Sequence, residues 1–441
     1  LNSGGTLAPA TLIGGTGISV VTNSPNNFTI SNTLIDVSVS FNAPTGQSLT
    51  YTTPGSSTGQ AGSIFTTETF TVTDPTNGTL SGTAVITGLP AGITSTQSYN
   101  NTNPGNILTI TLNGVYPSAN SVGTNLVISN LTVAAPPLTV DYLVVAGGGG
   151  GGGTYHGAGG GGGGLRTSYT NSSSLAGHNE STLSLSLATN YTVTLGGGGA
   201  GGYSSNGSTA RGSSGNNSIF HNITSTSGGG GATNSQGPGL DGGSGGGGSR
   251  SDSGVSGSAV TSPTVQGYNG GICSTPAQSW SGGGGGGGAA SVGGIGSGNS
   301  STSGGIGGDG GSGLAVNILS AANSTSVSVG EVSGSDVYFS GGGGGSTSPT
   351  GSIGSGGIGG GTDGSNGAAS NATDNTGGGG GGSERSSGFV AGGNGGSGVI
   401  ILRYPSSYTV SGLTEATGSP FTEGTSKVSV FTSGTGNIQF N

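Results

Sequence analysis

The sequence predicts an all-β protein with essentially no α-helix, in which a β-rich N-terminal part is followed by a glycine-rich domain. Apolar residues alternate with Ser and Thr at a period of two, as around Phe70 and Val72, which is typical of half-buried strands. No segment combines the apolar spacing and the length of a helix. Glycine supplies 108 of the 441 residues, far above the roughly 7% of ordinary proteins, and many of these glycines stand in uninterrupted runs.

Composition also excludes several classes of partner. Charged residues make up 5% of the chain, the only lysine is Lys427, and no Lys or Arg precedes Arg166. Nucleic-acid binding requires clustered cations that neutralise phosphates. With a pI of about 4.4, the chain is also unsuited to an anionic lipid surface. We therefore expect no nucleic-acid partner and no docking on lipid.

The titratable and sulfur-containing residues predict neither a metal site nor a cofactor. Cys273 is the single cysteine, so an internal disulfide is excluded, and its neighbours offer no activating group. His156, His178 and His221 lack the short spacings of metal ligands. No apolar run approaches the roughly 20 residues of a membrane span. The chain has no Met, and we expect it to be a processed or partial product.

Two short β regions precede the glycine runs. Residues 1–34 alternate apolar runs with turns, and Gly14–Val20 resembles short elements of trimeric phage fibres. Residues 35–136 contain alternating segments at Val37–Phe41, Phe70–Val72 and Leu108–Leu112, separated by turns such as Asp74–Gly78. Thr87–Thr94 resembles bacterial immunoglobulin-like repeats, and this resemblance implies a β-sandwich spacer.

Residues 137–405 form the glycine-rich domain. It opens with the buried-strand pattern Tyr142–Ala146 and closes with Val399–Pro405. Two interpretations of the glycine runs remain open from the pattern alone. The runs are either flexible linkers or extended polyglycine-II rods with three residues per turn, which pair their backbone groups laterally. Collagen is excluded because Gly-X-Y periodicity is missing. The runs are 147–153, 159–164, 196–199, 228–231, 245–248, 282–288, 341–345 and 377–382.

The segments that flank and interrupt the runs resemble the glycine-rich domain of bacteriophage tail fibres and adhesins. The resemblance rests on Asp141–Gly147, Tyr191–Gly202, Gly215–Phe220 and Gly398–Tyr404, and it spans about 265 residues. It implies a bundle of polyglycine-II helices whose connecting loops contact the host. Residues 406–441 alternate again, at Val428–Thr432 among others, and predict a separate C-terminal β-element.

Catalysis is not expected. Glycoside hydrolysis needs two carboxylates about 5–10 Å apart, but the acids are scattered singly, as with Asp241 and Asp252 or Asp309 and Glu331. Acids next to glycine are interpreted as turn residues. A phosphate-binding loop would need a lysine directly after its glycines, and Lys427 follows Ser426.

Aromatic and charged residues between the runs are the candidates for receptor contact. Aromatic rings offer flat faces to sugars and anchors to proteins, although core packing is an equal alternative for Trp280 and the better one for Phe339. The candidates, taken from three loops, are Tyr268, Trp280, Asp336, Tyr338, Phe339, Arg385 and Phe389.

The sequence thus predicts a non-enzymatic, extracellular tail-fibre adhesin. It would be a homotrimer, bound to other phage tail proteins and to a host surface carbohydrate or outer-membrane protein, without inserting into the membrane. The alternative is a self-assembling extracellular filament or matrix protein of an aquatic microbe, which the same neutral, glycine-dense composition would suit.

Overall fold

The computed structural model divides the chain into two compact units, Leu1–Pro137 and Leu138–Asn441. In the first unit the structure describes the strands alone. In the second unit it describes residues 138–169, 177–203, 210–234, 237–250, 254–275, 280–299, 304–348, 350–385, 388 and 390–441. The boundary falls one residue from the predicted start of the glycine-rich domain.

The described strands of the first unit form antiparallel sheets. A four-stranded sheet has the order β3-β4-β8-β7, and three two-stranded pairings join β1 to β2, β5 to β10 and β6 to β9. The predicted strands around Phe70 and Leu108 are confirmed, while Val37–Phe41 and Asp74–Gly78 lie wholly or partly outside the described residues. The strands are β1 (Ile18–Ser24), β2 (Asn27–Asn32), β3 (Thr50–Thr52), β4 (Glu68–Asp74), β5 (Thr79–Ser81), β6 (Val85–Thr87), β7 (Ile93–Asn100), β8 (Asn106–Gly114), β9 (Val127–Ser129) and β10 (Thr132–Ala134).

The second unit is also nearly all β, with one six-residue helix, α1 (Ala321–Ser326), among its described residues. Its strands are β11 (Thr139–Val145), β12 (Leu165–Thr167), β13 (Leu183–Ser184), β14 (Tyr191–Thr194), β15 (Ser218–Phe220), β16 (Ile223–Ser225), β17 (Trp280–Ser281), β18 (Gly298–Asn299), β19 (Leu314–Ala315), β20 (Glu331–Ser333), β21 (Asp336–Phe339), β22 (Val399–Pro405), β23 (Val410–Gly412), β24 (Phe421–Glu423), β25 (Ser426–Phe431) and β26 (Thr435–Phe440).

A central sheet with the strand order β12-β11-β22-β25-β24 is buried on both faces. Along β11, Leu143 and Val145 pack into one hydrophobic cluster, whereas Tyr142 and Val144 pack into another. Successive side chains of a strand point to opposite faces, so a strand covered on both sides is apolar at every position. This burial explains the continuous apolar run from which the strand was predicted.

Two further layers cover the central sheet. The sheet β16-β15-β14-β26-β23 supplies Phe220, Ile438 and Phe440 to one cluster. The sheet β19-β21-β20 and the segment around α1 supply Leu314 and Phe339 to the other. These three layers form the hydrophobic core of the unit.

The predicted separate C-terminal element is part of this core. Strand β25 pairs with β22 through Ile401 and Val430, and β26 pairs with β14 through Tyr191 and Ile438. Residues 406–441 therefore complete the two main sheets of the second unit, because their alternating apolar side chains have those sheets as partners.

The glycine runs make hydrogen bonds with a repeat of three residues. Along residues 147–153, the N–H groups of Gly147, Gly150 and Gly153 donate to one antiparallel segment, at Asn216, Ser213 and Ala210. The N–H groups between them donate to two other antiparallel segments, at 393–396 and 158–161. Successive donors therefore point to three different neighbours, which is the pattern expected of a helix with three residues per turn.

The carbonyl groups of residues 147–153 bind three further neighbours. Gly147 and Gly150 accept from the segment at 228–231, Gly148 and Gly151 from the segment at 199–202, and Gly149 and Gly152 from the segment at 380–383. Three neighbours through donors and three through acceptors make six around one run. The runs 159–164, 245–248, 282–288 and 341–345 have the same kind of environment. We call the hydrogen-bonded segments between residues 146 and 398 the glycine lattice.

Interior positions of the glycine lattice have no room for a side chain. A Cβ on Gly151 would lie 2.0 Å from the carbonyl oxygen of Gly381, and one on Gly149 would lie 2.1 Å from that of Gly229. Outer segments need glycine only where they face inward. Along residues 305–313, Ile306, Asp309 and Ser312 are exposed and three apart, with two glycines between them.

The segments of the lattice alternate in direction, so the connections between them lie at two opposite ends of the lattice. Residues 146–153 run away from β11, and residues 157–164 return antiparallel to them to reach β12. The pattern continues to residues 391–398, which lead back into β22. We call the end that adjoins these strands the sheet end. The opposite end, marked by the turn at Thr154–His156, is the loop end.

The rim of the lattice is closed by side-chain oxygens. The Oδ1 atoms of Asp241, Asp309 and Asp363 accept from the backbone N–H groups of Ser258, Ser355 and Gly356 at 2.6–2.7 Å. Asp374 likewise accepts from Ser397 at 3.1 Å. The acids next to glycine were predicted to be turn residues, but Asp241, Asp309 and Asp363 lie outside turns. All four acids cap the outward N–H groups of a neighbouring segment, since those groups have no further segment to bond to.

We predict that Gly151→Ala destabilises the second unit by at least about 3 kcal/mol, because the new methyl group meets backbone on a neighbouring segment and the lattice must spread. The matched control is Gly197→Ala, whose Cβ would have Asn216 Nδ2 at 3.8 Å as its nearest contact. Denaturant unfolding measures both variants. Equal stability of the two variants would contradict the packing described above.

Candidate functional site

The loop end is the candidate site, because the connections between glycine segments converge there. The tightest described connection is the turn Thr154–Tyr155–His156, whose φ angles are 52°, 55° and 53°. Non-glycine residues in this left-handed region carry a conformational cost. Three in succession require strong compensating contacts.

Hydrogen bonds from three other segments hold this turn. The N–H of Thr154 donates to Ser383 Oγ at 3.1 Å, and the hydroxyl of Thr233 donates to the carbonyl of Thr154 at 2.9 Å. The hydroxyl of Ser249 donates to the carbonyl of His156 at 2.6 Å. The turn is thus fixed by the ends of the neighbouring segments.

Glu384 and His156 form a buried pair beneath the turn. Oε2 of Glu384 accepts from the backbone N–H of His156 at 2.5 Å and lies 3.4 Å from His156 Nδ1. Burial raises the pKa of Glu384 to about 7, although the N–H bonds from His156 and Arg385 oppose this rise. Burial, and then the positive charge of Arg250, lower the pKa of His156 to about 4. At neutral pH the histidine is therefore uncharged, and the contact is not an ion pair.

Aromatic and cationic side chains lie above this pair. The guanidinium of Arg385 donates to the hydroxyl of Tyr155 and stacks over its ring at 5.5 Å from the centroid. Tyr203 is 58% exposed and directly follows the segment 196–202, which ends at the loop end. Neither tyrosine was among the predicted contact residues. The signal that could have identified them is their position at the end of a glycine segment, where the chain turns.

The predicted contact residues are divided between the two ends of the lattice. Arg385 lies at the loop end, and so does Trp280, whose backbone pairs with Asn299. The side chain of Trp280 and all of Phe389 lie outside the described residues. Tyr268 is half-buried and lies near the sheet end, where its backbone forms hydrogen bonds with Gly245 and Gly288.

Three of the predicted contact residues lie in a strand instead of the expected loop, and Phe339 takes the core position that was the better alternative for it. Asp336, Tyr338 and Phe339 were expected in a loop between glycine runs. They instead form strand β21 at the sheet end. The ring of Phe339 is fully buried in the hydrophobic core, so it offers no surface for receptor contact. Asp336 accepts from the side chain of Asn317 at 2.8 Å.

Several carboxylates of the glycine lattice and its neighbouring strands bind backbone N–H groups. Asp241 and Asp309 cap the lattice rim, and Oε2 of Glu331 accepts from Gly359 and Gly360 at 2.7 and 2.8 Å. Asp252 lies outside the described residues. The described part of the chain contains no group of three His, Cys, Asp or Glu side chains that could hold a metal ion. It also contains no helix long and apolar enough to cross a bilayer.

Titration of the buried pair predicts the pH dependence of stability. In the folded chain Glu384 keeps its proton up to a pH near 7, against an ordinary pKa of 4.5. Its contribution to the free energy of unfolding therefore falls as pH rises from 4.5 to 7. His156 binds its proton near pH 4, against an ordinary 6.5, so its contribution rises between pH 4 and 6.5. The two effects oppose each other in the wild-type chain.

We predict that Glu384→Gln becomes more stable relative to wild type as pH rises from 4.5 to 7, by on the order of 2 kcal/mol, since one pKa unit corresponds to about 1.4 kcal/mol. Denaturant unfolding at pH 4.5, 5.5 and 7, followed by fluorescence of the single tryptophan, measures the difference. Asp374→Asn removes an exposed charge as a control. A pH-independent difference between Glu384→Gln and wild type would contradict this account.

A comparison of the sequence with known protein families finds one that shares the glycine-rich composition of the lattice. The model of a family described as the glycine-rich domain matches residues 122–405, which is well over half of the chain. No curated protein and no solved structure matches. The match covers the strands β11 and β22 together with the whole glycine lattice between them, and the chain belongs to the glycine-rich domain family.

Proposed function

We propose that the chain is the receptor-binding part of a bacteriophage tail fibre and acts as an adhesin without enzymatic activity. In this proposal the lattice is a polyglycine-II bundle that holds binding loops at its loop end. The first unit, as an immunoglobulin-like spacer with a trimeric fibre element, joins the bundle to other tail proteins. The particle carrying it is an extracellular virion.

The separation of scaffold from loops is the observation that supports this proposal most. The interior segments bond to one another through backbone groups, so most hydrogen bonds of the lattice involve no side chain at the loop end. Connections there can change in sequence while the scaffold stays the same, which suits recognition of variable surfaces. Weak contacts of single loops would be strengthened by several fibres acting together.

The chemistry of the loop end supports binding more than catalysis. Tyr155, Tyr203 and Arg385 offer aromatic and cationic groups of the kind that dominate binding surfaces. Among the described residues, Asp241, Asp309 and Glu331 each accept hydrogen bonds from backbone N–H groups, which suits a structural role more than acid–base catalysis. We propose a host surface carbohydrate or an outer-membrane protein as the receptor.

Electron cryo-microscopy of the native particle, isolated with an antibody against the chain, tests the setting. A threefold fibre on a phage tail, ending in a compact glycine-rich tip, is the expected result. A continuous filament of identical subunits without a virion would overturn the proposal and favour an extracellular matrix protein.

The binding end is tested with two tyrosines at opposite ends of the lattice. We predict that Tyr203→Ala lowers the affinity of the labelled chain for host cells about tenfold, because truncation of an exposed aromatic anchor costs more than 1 kcal/mol. Tyr338→Ala, at the sheet end, should bind like wild type. Flow cytometry on cells of the phage host measures both. The reverse ranking would place the receptor contact at the sheet end.

A further inference from the structure

A groove lies at the rim of the glycine lattice, among residues 353–370. It encloses a cavity of about 420 Å³, within the range of roughly 300–1,000 Å³ usual for small-molecule sites. Its floor is a rim segment of the lattice and its walls are the two neighbouring segments. The lining residues are Ile353, Gly361, Thr362, Asp363, Gly364, Ser365, Ala368 and Ser370.

Hydrogen bonds hold the polar groups of this groove in place. The N–H of Gly356 donates to Asp363 Oδ1 at 2.7 Å. The hydroxyl of Thr362 donates to the carbonyl of Ser370 at 3.0 Å and accepts from the N–H of Gly381 at 2.9 Å. Asp363 is exposed. The hydrogen bond from Gly356 goes to Oδ1, so the bonds named here, all between described residues, do not involve Oδ2. A fixed carboxylate oxygen at the edge of a groove is a strong acceptor of hydrogen bonds from hydroxyl groups.

An apolar surface adjoins these polar groups. Ile353 is 42% exposed on the wall of the groove, and the side chain of Ala368 is also exposed. A ligand that matches the groove therefore presents hydroxyl groups on one side and C–H groups on another. Sugar rings have this combination.

The charge of the groove determines which sugars fit. No Lys or Arg is among the lining residues, and Asp363 carries a negative charge. An anionic ligand would be repelled and would find no cation to pair with. Phosphorylated, sulfated and uronic-acid sugars are thereby disfavoured.

We propose that the groove at Ile353–Ser370 is a binding site for an uncharged sugar unit of a surface glycan, with Asp363 accepting hydrogen bonds from its hydroxyl groups and Ile353 covering a C–H face. The assignment builds on the adhesin function proposed above, because it names a receptor class and a place for it.

Binding is tested with the purified full chain and defined sugars. The probes are glucose, galactose, mannose and N-acetylglucosamine with their 1,4-linked disaccharides, and glucuronic and galacturonic acid as anionic counterparts. Titration calorimetry and saturation-transfer NMR are read at millimolar sugar concentration. Binding of at least one neutral probe, without its anionic counterpart, is expected. Absence of all neutral binding, or preference for the acids, would overturn the assignment.

Two pairs of variants separate binding from structure. In Asp363→Asn the amide oxygen can still accept the hydrogen bond from Gly356, so the lattice should keep its structure. The second carboxylate oxygen is replaced by an NH2 group, so the affinity for the sugar should fall at least tenfold. Asp309→Asn changes the same kind of rim cap outside the groove and should bind like wild type. Ile353→Ser should weaken binding, whereas Ile306→Ser, at an exposed position outside the lining, should not. Equal effects within either pair would overturn the assignment.

The result is independent of the adhesin test. Sugar binding that depends on Asp363, together with no attachment to cells, would leave the groove standing and refute the adhesin. Attachment to cells without binding of any neutral sugar would refute the groove assignment and leave the adhesin proposal standing.

Discussion

The close approach of neighbouring backbones is the constraint on which the rest of this structure depends. In the interior of the lattice, carbonyl oxygens lie about 2 Å from where a Cβ would stand. At this spacing a segment surrounded by six others can bond every N–H and C=O laterally, as residues 147–153 do. Ordering glycine has the largest entropic cost of any residue. The lattice offsets that cost through complete backbone pairing and dense packing.

This constraint explains the distribution of sequence types along the chain. The long uninterrupted runs, such as 147–153 and 282–288, are the segments with neighbours on all sides. Segments at the rim, such as 305–313, admit a side chain at every third position. Where no further segment follows, Asp and Asn oxygens take over the role of the missing carbonyls, as Asp309 does for Ser355. The longest runs therefore lie in the interior of the lattice.

Much of the β structure was predictable from apolar patterns in the sequence. Strands β4 and β8 follow a period of two, whereas β11 and β22 are nearly continuous apolar runs, and neither pattern requires knowledge of the partner strands. The glycine runs lack such a signal. A rod and a linker have the same composition. They differ in whether each N–H group bonds to a carbonyl far away in the sequence, as Gly148 bonds to Gly396. Resemblance to a family was needed to choose between them.

The candidate site was harder to predict for a related reason. The segment from Leu314 to Ser340 interrupts the glycine runs and looked like one more connecting loop. The spacing of Val337 and Phe339, two residues apart and both buried, was the sign of a strand. Sequence position also does not tell at which end of an alternating lattice a connection falls. That requires following the direction of each segment from β11 onward.

A scaffold held by backbone pairing leaves its side chains available for other tasks. In most proteins, core side chains and surface charges are needed for stability, and only a fraction of the surface can vary. Here the hydrophobic clusters described for the second unit lie at the sheets around β11 and β22, and the described lattice beyond them is held mainly by backbone hydrogen bonds. The few charged residues of the lattice are then tied to local tasks, as Glu384 is beneath the turn at His156 and Asp363 at the rim. A chain with 5% charged residues can therefore be well ordered, and its specificity must come from a small number of side chains placed at the loop end and on the flanks.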